Sequence, residues 1–312
     1  MAVRAVYIDC SPMMFSLLGE LGSLPALEVI AADPPAREIP RLLADTAVLI
    51  NGHTKFDAEL ITKLPALRSI VFLGTGASSY IDMEAAARHG ICVRTIRGYG
   101  DRTVAEHGFA LLMAAARDVA RMDRDLRAGR WDTREGIELK GATLGLIGLG
   151  GIGSEMARIA FAFGMRVIAW NRSGVAPDIP AEACDIDDLL AASDAVSLHL
   201  ALNSATRGFL DAARLARMKR GALIINTARG ALVDDDALVA ALQSGHIAHA
   251  AIDVFATEPL PVDHPFTCLD SVTLTSHAAW KSRAASRRML IKALELVAAD
   301  RLRLEAGQPL TA

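Results

Sequence analysis

This chain of 312 residues has few cysteines and few aromatic residues, and it lacks any long apolar run. Cys10, Cys92, Cys184 and Cys268 form no C-x-x-C pair and lack metal-ligand spacing, so we expect four buried, reduced thiols. No apolar run reaches the ~18 residues that indicate a membrane span, and the start of the chain lacks the apolar segment of a signal peptide. The sequence therefore predicts a soluble, cytoplasmic protein with no membrane partner.

The chain also lacks a large excess of basic over acidic residues, or of acidic over basic residues. The chain has 33 basic and 36 acidic residues, a formal net charge of −3, which argues against a nucleic-acid partner. Its 52% hydrophobic and 22% charged residues are ordinary for a globular protein and exclude a disordered chain. At ~100–200 residues per domain, the length predicts two domains.

Short apolar runs alternate with amphipathic stretches along the whole chain. Repeated strand-then-helix units predict parallel sheets with helices on both faces. In the first third, the pattern predicts strands over 3–8, 47–50 and 69–73 and a helix over 81–89. A long helix over 103–127 follows, and then strands over 143–147, 166–170, 195–200, 222–226, 250–254 and 271–274. These six strands predict a doubly wound dinucleotide-binding domain, and a helix over 283–305 is long enough to leave it.

The glycine-rich turn after the first of these six strands predicts a dinucleotide site. Gly148 allows a tight turn, Gly150 lets the backbone approach a pyrophosphate, and Gly153 lets the following helix lie close to the sheet. Gly151 and Ile152 complete the turn at the helix N-terminus, where free N–H groups and the helix dipole favour phosphate.

The end of the next strand indicates which dinucleotide is used. NAD-selective sites carry an acidic residue there, whereas this chain has Asn171, Arg172 and Ser173. An amide beside a guanidinium would attract the 2′-phosphate of NADP that a carboxylate repels. We therefore expect NADP(H) to be preferred and NAD(H) to be possible. The alternative is a solvated Arg172 and a loose choice of cofactor.

Six further blocks follow in order along the chain. They are Leu73-Gly74-Thr75-Gly76-Ala77 with Tyr80-Ile81-Asp82, Val104-Ala105-Glu106-His107, His199-Leu200-Ala201-Leu202-Asn203 with Thr206, Asn226-Thr227-Ala228-Arg229-Gly230, Asp253-Val254-Phe255 with Glu258-Pro259, and Ser276-His277-Ala278-Ala279-Trp280. In this order they resemble the D-isomer-specific 2-hydroxyacid dehydrogenases, and within them the glyoxylate and hydroxypyruvate reductases. Three departures are Ala201 in place of proline, an extra residue at Ser78-Ser79, and the missing acidic residue at Asn171.

The resemblance implies an α/β fold with two doubly wound parallel-sheet domains. A Rossmann nucleotide-binding domain of residues 101–282 would be inserted into a flavodoxin-like substrate-binding domain of residues 1–100 and 283–312. The site would lie in the cleft at their junction, and hinge closure would exclude water from the reaction. Relatives are usually homodimers through the nucleotide domain, and we expect Trp131 and the Arg-rich stretch before it at that interface.

Three catalytic residues follow from the same resemblance. Reduction of a 2-keto acid needs a cation for the carboxylate, stabilisation of the developing oxyanion and a proton donor. The guanidinium of Arg229 would span the carboxylate and the ketone oxygen. His277 would exchange the proton, and Glu258 would hydrogen-bond its ring, fix its tautomer and favour the imidazolium. No metal is expected.

The remaining site residues are expected around the two ligands. Gly74, Thr75 and Gly76 would present backbone N–H groups to the substrate carboxylate, and Trp280 would line the substrate pocket or pack in the core. Asp253 would accept from the nicotinamide amide. Further cofactor contacts are expected from Thr103, His199, Thr206, Thr227 and Ala228. His107 lies on the interdomain helix and receives no role.

The sequence thus predicts an NADPH-preferring D-2-hydroxyacid dehydrogenase that acts mainly as a 2-keto acid reductase on a small substrate. Two alternatives stay open. The block of residues 276–280 also resembles the C-terminal-binding proteins, which are dinucleotide-sensing corepressors and need a peptide groove. A phosphite dehydrogenase would share this architecture and use the same Arg and His differently.

Overall fold

The computed structural model describes residues 3–22 and 27–310. Its strands are β1 (Ala5–Tyr7), β2 (Leu27–Val29), β3 (Val48–Asn51), β4 (Ser69–Phe72), β5 (Cys92–Thr95), β6 (Thr143–Ile147), β7 (Arg166–Trp170), β8 (Glu182–Ala183), β9 (Ala195–Leu198), β10 (Ala222–Asn226), β11 (Ile247–Ile252) and β12 (Val272–Leu274). Its α-helices are α1 (Pro12–Leu21), α2 (Ile39–Leu42), α3 (Ala58–Thr62), α4 (Met83–Arg88), α5 (Asp101–Ala116), α6 (Val119–Arg127), α7 (Gly151–Ala162), α8 (Ile186–Ala192), α9 (Ala212–Arg217), α10 (Asp235–Gln243) and α11 (Arg283–Glu305). Among these residues, every helix is too short or too polar to cross a membrane.

The described residues divide into two compact units. The first unit comprises those up to Gly100 together with those from Ser282 onward, and the second unit is Asp101–Lys281. The second unit is therefore inserted into the sequence of the first. Each unit has a parallel sheet of its own.

The first unit is built on a five-stranded sheet in the order β2-β1-β3-β4-β5, with every described pair parallel. This is the flavodoxin-like strand order. All residues of β3 and β4 are buried, as parallel strands covered on both faces require. Side chains of Ser11, Asp57 and Asp82 cap the first turns of α1, α3 and α4, which explains where these helices begin.

The C-terminal helix α11 packs against β3 and β4 of the first unit and is held there by a buried ion pair. Arg94 donates to Asp300 from Nη2 at 2.6 Å and from Nε at 2.8 Å, and Ser69 donates its hydroxyl at 2.6 Å. Asp300 is 1% exposed. A charge this deeply buried is tolerated because it is paired and hydrogen-bonded.

The second unit contains a seven-stranded parallel sheet in the order β12-β11-β10-β9-β6-β7-β8. If β6 is taken as strand 1 and the sheet is read from β8 to β12, the order is 3-2-1-4-5-6-7. This is the doubly wound Rossmann order 3-2-1-4-5-6 with one additional strand, β12, at the end. Helices α5 and α7 pack closely together, and α5 also lies against β10 and β11. The predicted fold class is confirmed.

Several boundaries agree with the sequence analysis and others do not. The strands over 143–147, 166–170 and 222–226 and the helix over 283–305 have the predicted bounds. The single helix predicted over 103–127 is wrong, because it is divided into α5 and α6. Asp118 between them has φ +52°, a left-handed conformation that breaks the helical hydrogen-bond ladder. Strands β2, β5 and β8 were not predicted, because they are short and only partly buried or exposed.

The expectation of four buried cysteines is also wrong. Cys10 is buried, but Cys92 and Cys184 are partly exposed and Cys268 is exposed. Cys268 ends a short turn of 3₁₀ helix at the surface just before β12, a place that composition does not reveal.

Candidate active site

Three neighbouring strands of the second unit end at the same edge of the sheet, where ligands bind in doubly wound folds. Arg229 lies three residues after β10, Glu258 lies in the loop after β11, and His277 lies three residues after β12. Because β10, β11 and β12 are adjacent and parallel, the fold brings these three predicted residues to one edge.

The loop with Arg229 is fixed by close backbone contact. A Cβ atom at Gly230 would overlap the backbone of Phe255 and Ala256, so only glycine lets this loop lie against the loop that leads to Glu258. The buried amide of Asn226 donates to Arg229 O at 2.9 Å and accepts from Ala228 N–H at 3.0 Å. Nη1 of Arg229 donates to Ala228 O at 2.6 Å, so the guanidinium lies close to this hydrogen-bonded turn.

His277 and Glu258 form the central hydrogen bond of the site. The distance from His277 Nδ1 to Glu258 Oε2 is 2.7 Å, and Phe255 N–H donates to Glu258 Oε1 at 2.9 Å. Among the described residues, none is hydrogen-bonded to the Nε2 atom of His277. His277 has φ +52°, a strained conformation that is rare outside glycine. The free Nε2 is the atom that can exchange a proton with a substrate.

The carboxyl group of Glu258 is kept ionised by its neighbours. Burial acts to raise its pKa, but hydrogen bonds from His277 and Phe255 N–H and the positive charges of His277 and Arg229 outweigh this effect. The net result is a pKa below the usual value. An ionised Glu258 can only accept hydrogen bonds, so Nδ1 of His277 carries a proton.

Asp253 organises the turn that carries His277. Its side chain has no exposure to solvent. Oδ1 accepts from the Thr275 hydroxyl at 2.5 Å and from Ala278 N–H at 2.9 Å, and Oδ2 accepts from Ala279 N–H at 3.0 Å. Burial acts to raise the pKa of Asp253, but the nearby ring of His107 and the hydrogen bonds from Thr275 and these amides hold it below its usual range. The expected contact of Asp253 with the nicotinamide amide stays a prediction.

The glycine-rich turn is as tightly packed as its predicted role requires. Gly148 has φ +99°, and a Cβ atom there would lie 2.8 Å from His199 O. A Cβ atom at Gly153 would overlap Gly148 O. By contrast, a Cβ atom at Gly150 would meet nothing within 4 Å, so the space beside this residue is open.

The N-terminus of α7 presents free donors to that space. The first helical hydrogen bond runs from Ser154 N–H to Gly150 O at 2.9 Å. The N–H groups of Gly151, Ile152 and Gly153 donate to no described residue. Free amides at a helix N-terminus beside open space fit the pyrophosphate of a dinucleotide.

The turn after β7 contains the predicted cofactor selector. Asn171 accepts from Leu149 N–H at 3.3 Å and donates to Ser173 Oγ at 3.0 Å and to Gly174 O at 2.7 Å. Its amide therefore shapes the turn and joins it to the glycine-rich loop. Arg172 is exposed and forms no hydrogen bond or ion pair with a described residue. Its guanidinium is available to a ligand.

The other predicted cofactor residues differ in their burial and in their hydrogen bonds. The hydroxyl of Thr206 closes its own loop, donating to Ala201 O at 2.7 Å and accepting from Asn203 N–H at 2.8 Å. His199 bonds to Ser197 through Nε2 at 3.0 Å, and desolvation lowers its pKa to about 4. The remaining three are Thr103 in the first turn of α5, the partly buried Ala228 and the buried Thr227, whose hydroxyl contacts no partner among the described residues.

The predicted substrate loop belongs to the first unit and follows β4. The expectation of a free N–H group at Gly74 is wrong, because this group donates to Phe72 O at 2.9 Å, and Gly74 O accepts from Ile96 N–H at 2.9 Å. Neither Thr75 N–H nor Gly76 N–H donates to any residue that the structure describes. These two donors are available to an anion. Trp280 is half-buried in the second unit, three residues after His277.

The sequence analysis missed two residues that hold the turns carrying Arg229 and His277. Thr275 and Asn226 received no role, although Asn226 ends β10 and Thr275 directly follows β12 at this edge of the sheet. A polar residue at the carboxyl end of a buried strand was the available signal. Nothing in the sequence marks the Phe255 N–H group as a partner of Glu258.

The chain is similar to known proteins in both sequence and fold. Residues 109–279 match the family described as D-isomer specific 2-hydroxyacid dehydrogenase, NAD binding domain. The glyoxylate reductase of Aeropyrum pernix is 41% identical over 253 residues, which are 77% of this chain and 75% of that protein. The hydroxypyruvate reductase of Thermotoga maritima is 37% identical over 277 residues, 87% of this chain and 90% of that protein.

A solved structure extends the similarity to nearly the whole chain. It is an acyclic imino acid reductase in complex with NADPH and D-Arg, with a TM-score of 0.82 and 32% identity. The match covers 96% of this chain and 98% of that one. With the two parallel sheets and the loops that end them, these matches show that the chain belongs to the D-isomer specific 2-hydroxyacid dehydrogenase family.

Proposed function

We propose that the protein reduces a small 2-keto acid to the D-2-hydroxy acid and prefers NADPH. The observation that carries this proposal is the 2.7 Å hydrogen bond between His277 and Glu258, beside Arg229 at the carboxyl edge of the sheet. The similar proteins named glyoxylate reductase and hydroxypyruvate reductase support the substrate class.

The three residues divide the work of the reduction. Arg229 binds the substrate carboxylate and withdraws charge from the ketone oxygen as it becomes negative. His277 gives the proton on Nε2 to that oxygen, and Glu258 holds the opposite side of the ring through Nδ1. The free N–H groups of Thr75 and Gly76 support a role for the Gly74 loop in binding the carboxylate, and Trp280 is proposed to line the substrate pocket.

A nicotinamide dinucleotide, when bound, would supply the hydride. The amides of Gly151, Ile152 and Gly153 are proposed to hold its pyrophosphate, in the open space beside Gly150. Arg172 and Ser173 are proposed to bind the 2′-phosphate, and the NADPH complex of the similar imino acid reductase supports this choice. The roles of Thr103, His199, Thr206, Thr227, Ala228 and Asp253 at the cofactor remain proposals.

Replacing Arg229 tests the reductase assignment. We expect Arg229→Ala to lower kcat/KM for glyoxylate and hydroxypyruvate by ~100–1,000-fold, because carboxylate binding and oxyanion stabilisation are both lost. Arg229→Lys should restore only part, because an ammonium group cannot bond two oxygens in parallel. The measurement is the loss of NADPH absorbance.

The matched control for this experiment is Arg220→Ala, which removes an exposed guanidinium at the opposite end of β10. Equal activity in Arg229→Ala and Arg220→Ala would disprove the role of Arg229. A wild-type protein that oxidises phosphite with NADP⁺, or binds the dinucleotide without reducing any keto acid, would favour one of the two alternative functions.

The second prediction concerns the pH dependence of reduction. Reduction requires a protonated His277, so its rate should fall as pH rises. In Glu258→Gln the imidazolium loses its charged partner, and the alkaline limb of kcat/KM should move to lower pH. Glu138→Gln, at an exposed site, is the control. Alkaline limbs that superimpose in wild-type and Glu258→Gln proteins would remove Glu258 from this role.

A third prediction concerns the cofactor. Because Asn171 is needed for the turn, Arg172→Ala is the cleaner substitution. A hydrogen bond to a charged group contributes ~1.5–3 kcal/mol, so KM for NADPH should rise by ~10- to 100-fold while KM for NADH stays unchanged. Arg287→Ala removes an exposed charge from the first unit and should change neither. An equal rise for both cofactors would contradict a contact with the 2′-phosphate.

We further propose that the protein is a homodimer that pairs through the surface around α6. Trp131 is 85% exposed, and Val119 and Leu126 are 51% and 58% exposed. Val119 and Leu126 lie on one face of α6, at positions i and i+7, and exposed apolar side chains of this kind are typical of an interface. Light scattering should give about twice the 33.1 kDa of one chain, and Trp131→Glu should shift the mass toward one chain. A wild-type protein with the mass of one chain at every concentration would refute this proposal.

A further inference from the structure

We propose that His107 is a positioning residue for His277: through Thr275 it fixes the carboxylate of Asp253, which holds the turn that carries His277. This inference rests on the proposed role of His277 as the proton donor. It concerns a residue that lies on α5, 168 positions before Thr275 in the sequence.

A continuous chain of hydrogen bonds carries the proposal. His107 Nε2 lies 3.0 Å from Thr275 Oγ1, and Thr275 Oγ1 lies 2.5 Å from Asp253 Oδ1. His107 Nε2 is also 3.6 Å from the same carboxylate oxygen. Within the described part of the chain, His107 is the one basic side chain within 4.0 Å of this carboxylate. The side chain of His107 on α5 is thereby joined to the edge of the sheet at which β10, β11 and β12 end.

The direction of each bond in this chain follows from counting protons. Asp253 is ionised, because its many donors hold its pKa low, and it can only accept. Thr275 has a single hydroxyl proton, which it donates to Asp253. Thr275 must then accept from His107, so Nε2 of His107 carries a proton. The geometry thus assigns the tautomer of His107.

The effect on His277 passes through Asp253. Besides Thr275, the carboxylate binds the N–H groups of Ala278 and Ala279, and the carbonyl of Asp253 accepts from His277 N–H at 2.8 Å. These bonds hold His277 in its left-handed conformation, which is strained and needs support from its surroundings. If Thr275 loses His107 and rotates, the buried carboxylate loses a donor and the turn relaxes.

A second histidine in the same unit provides a matched control. His249 Nε2 bonds to Thr273 Oγ1 at 2.8 Å and is buried, so the two histidine–threonine pairs are chemically alike. Thr273 does not bond to Asp253. A purely structural effect of losing such a pair should therefore be equal or larger at His249.

The experiment uses two substitutions that differ in reach. The amide of Gln places an N–H group near the position of Nε2, whereas the shorter Asn does not. We expect His107→Asn to lower kcat for hydroxypyruvate by up to ~100-fold with unchanged KM, as small displacements of catalytic groups do. His107→Gln should retain most of the wild-type kcat. His249→Asn should leave kcat unchanged even where it lowers Tm more.

A second pair of variants tests Thr275, which lies between His107 and Asp253 in this series of hydrogen bonds. Thr275→Ser keeps the hydroxyl and should retain kcat, whereas Thr275→Val removes it and should reproduce the loss in His107→Asn. Wild-type kcat in His107→Asn and Thr275→Val would overturn the proposal. So would an equal loss of kcat in His249→Asn, or in the Gln and Ser variants.

A measurement without turnover separates this proposal from the proposed function. In protein labelled with ¹⁵N at histidine and free of cofactor, NMR should show His107 protonated at Nε2, and His107→Asn should shift the ring signals of His277. A proton on Nδ1 alone, or His277 signals unchanged in His107→Asn, would overturn the positioning role. If these NMR results hold but no keto acid is reduced, the proposed function fails and the hydrogen-bond chain stands.

Discussion

A carboxylate with no exposure to solvent, that of Asp253, holds together the edge of the sheet at which the proposed reaction takes place. It is stable there because hydroxyl and amide donors surround it, and each donor belongs to the turn that ends β12. The position of His277, and hence its hydrogen bond to Glu258, depends on that turn. The hydrogen bonds that this buried anion requires thus also fix the position of His277, the proposed proton donor.

Close approaches of the backbone complete the arrangement. Gly230 lets the Arg229 loop touch the loop that leads to Glu258, and Gly153 lets α7 lie against the turn at Gly148. In both places a single methyl group would overlap the backbone of the neighbouring segment. The positive charge of Arg229 then helps to keep Glu258 ionised, so packing and electrostatics act on the same groups. The turns after β10, β11 and β12 place the guanidinium of Arg229, the carboxylate of Glu258 and the imidazole of His277 along one edge.

Much of this arrangement follows from local sequence patterns, and some of it does not. Buried strands such as β6 and β10 and the capped helix α11 have strong local signals, and their predicted bounds are correct. The break at Asp118 depends on one residue adopting a left-handed conformation, which periodicity does not show. The contact of His107 with Thr275 joins distant parts of the chain, so it became visible only when the fold placed α5 beside β11 and β12.

We propose above that the second unit supports hydride transfer to a 2-keto acid with a defined stereochemistry. Its most direct test is to incubate the protein with hydroxypyruvate and NADPH deuterated at both C4 positions, and to analyse the glycerate by mass spectrometry and chiral chromatography. We expect D-glycerate with one deuterium on C2 and an equal amount of NADP⁺. Formation of the L-isomer, glycerate without deuterium, or no glycerate at all would contradict it.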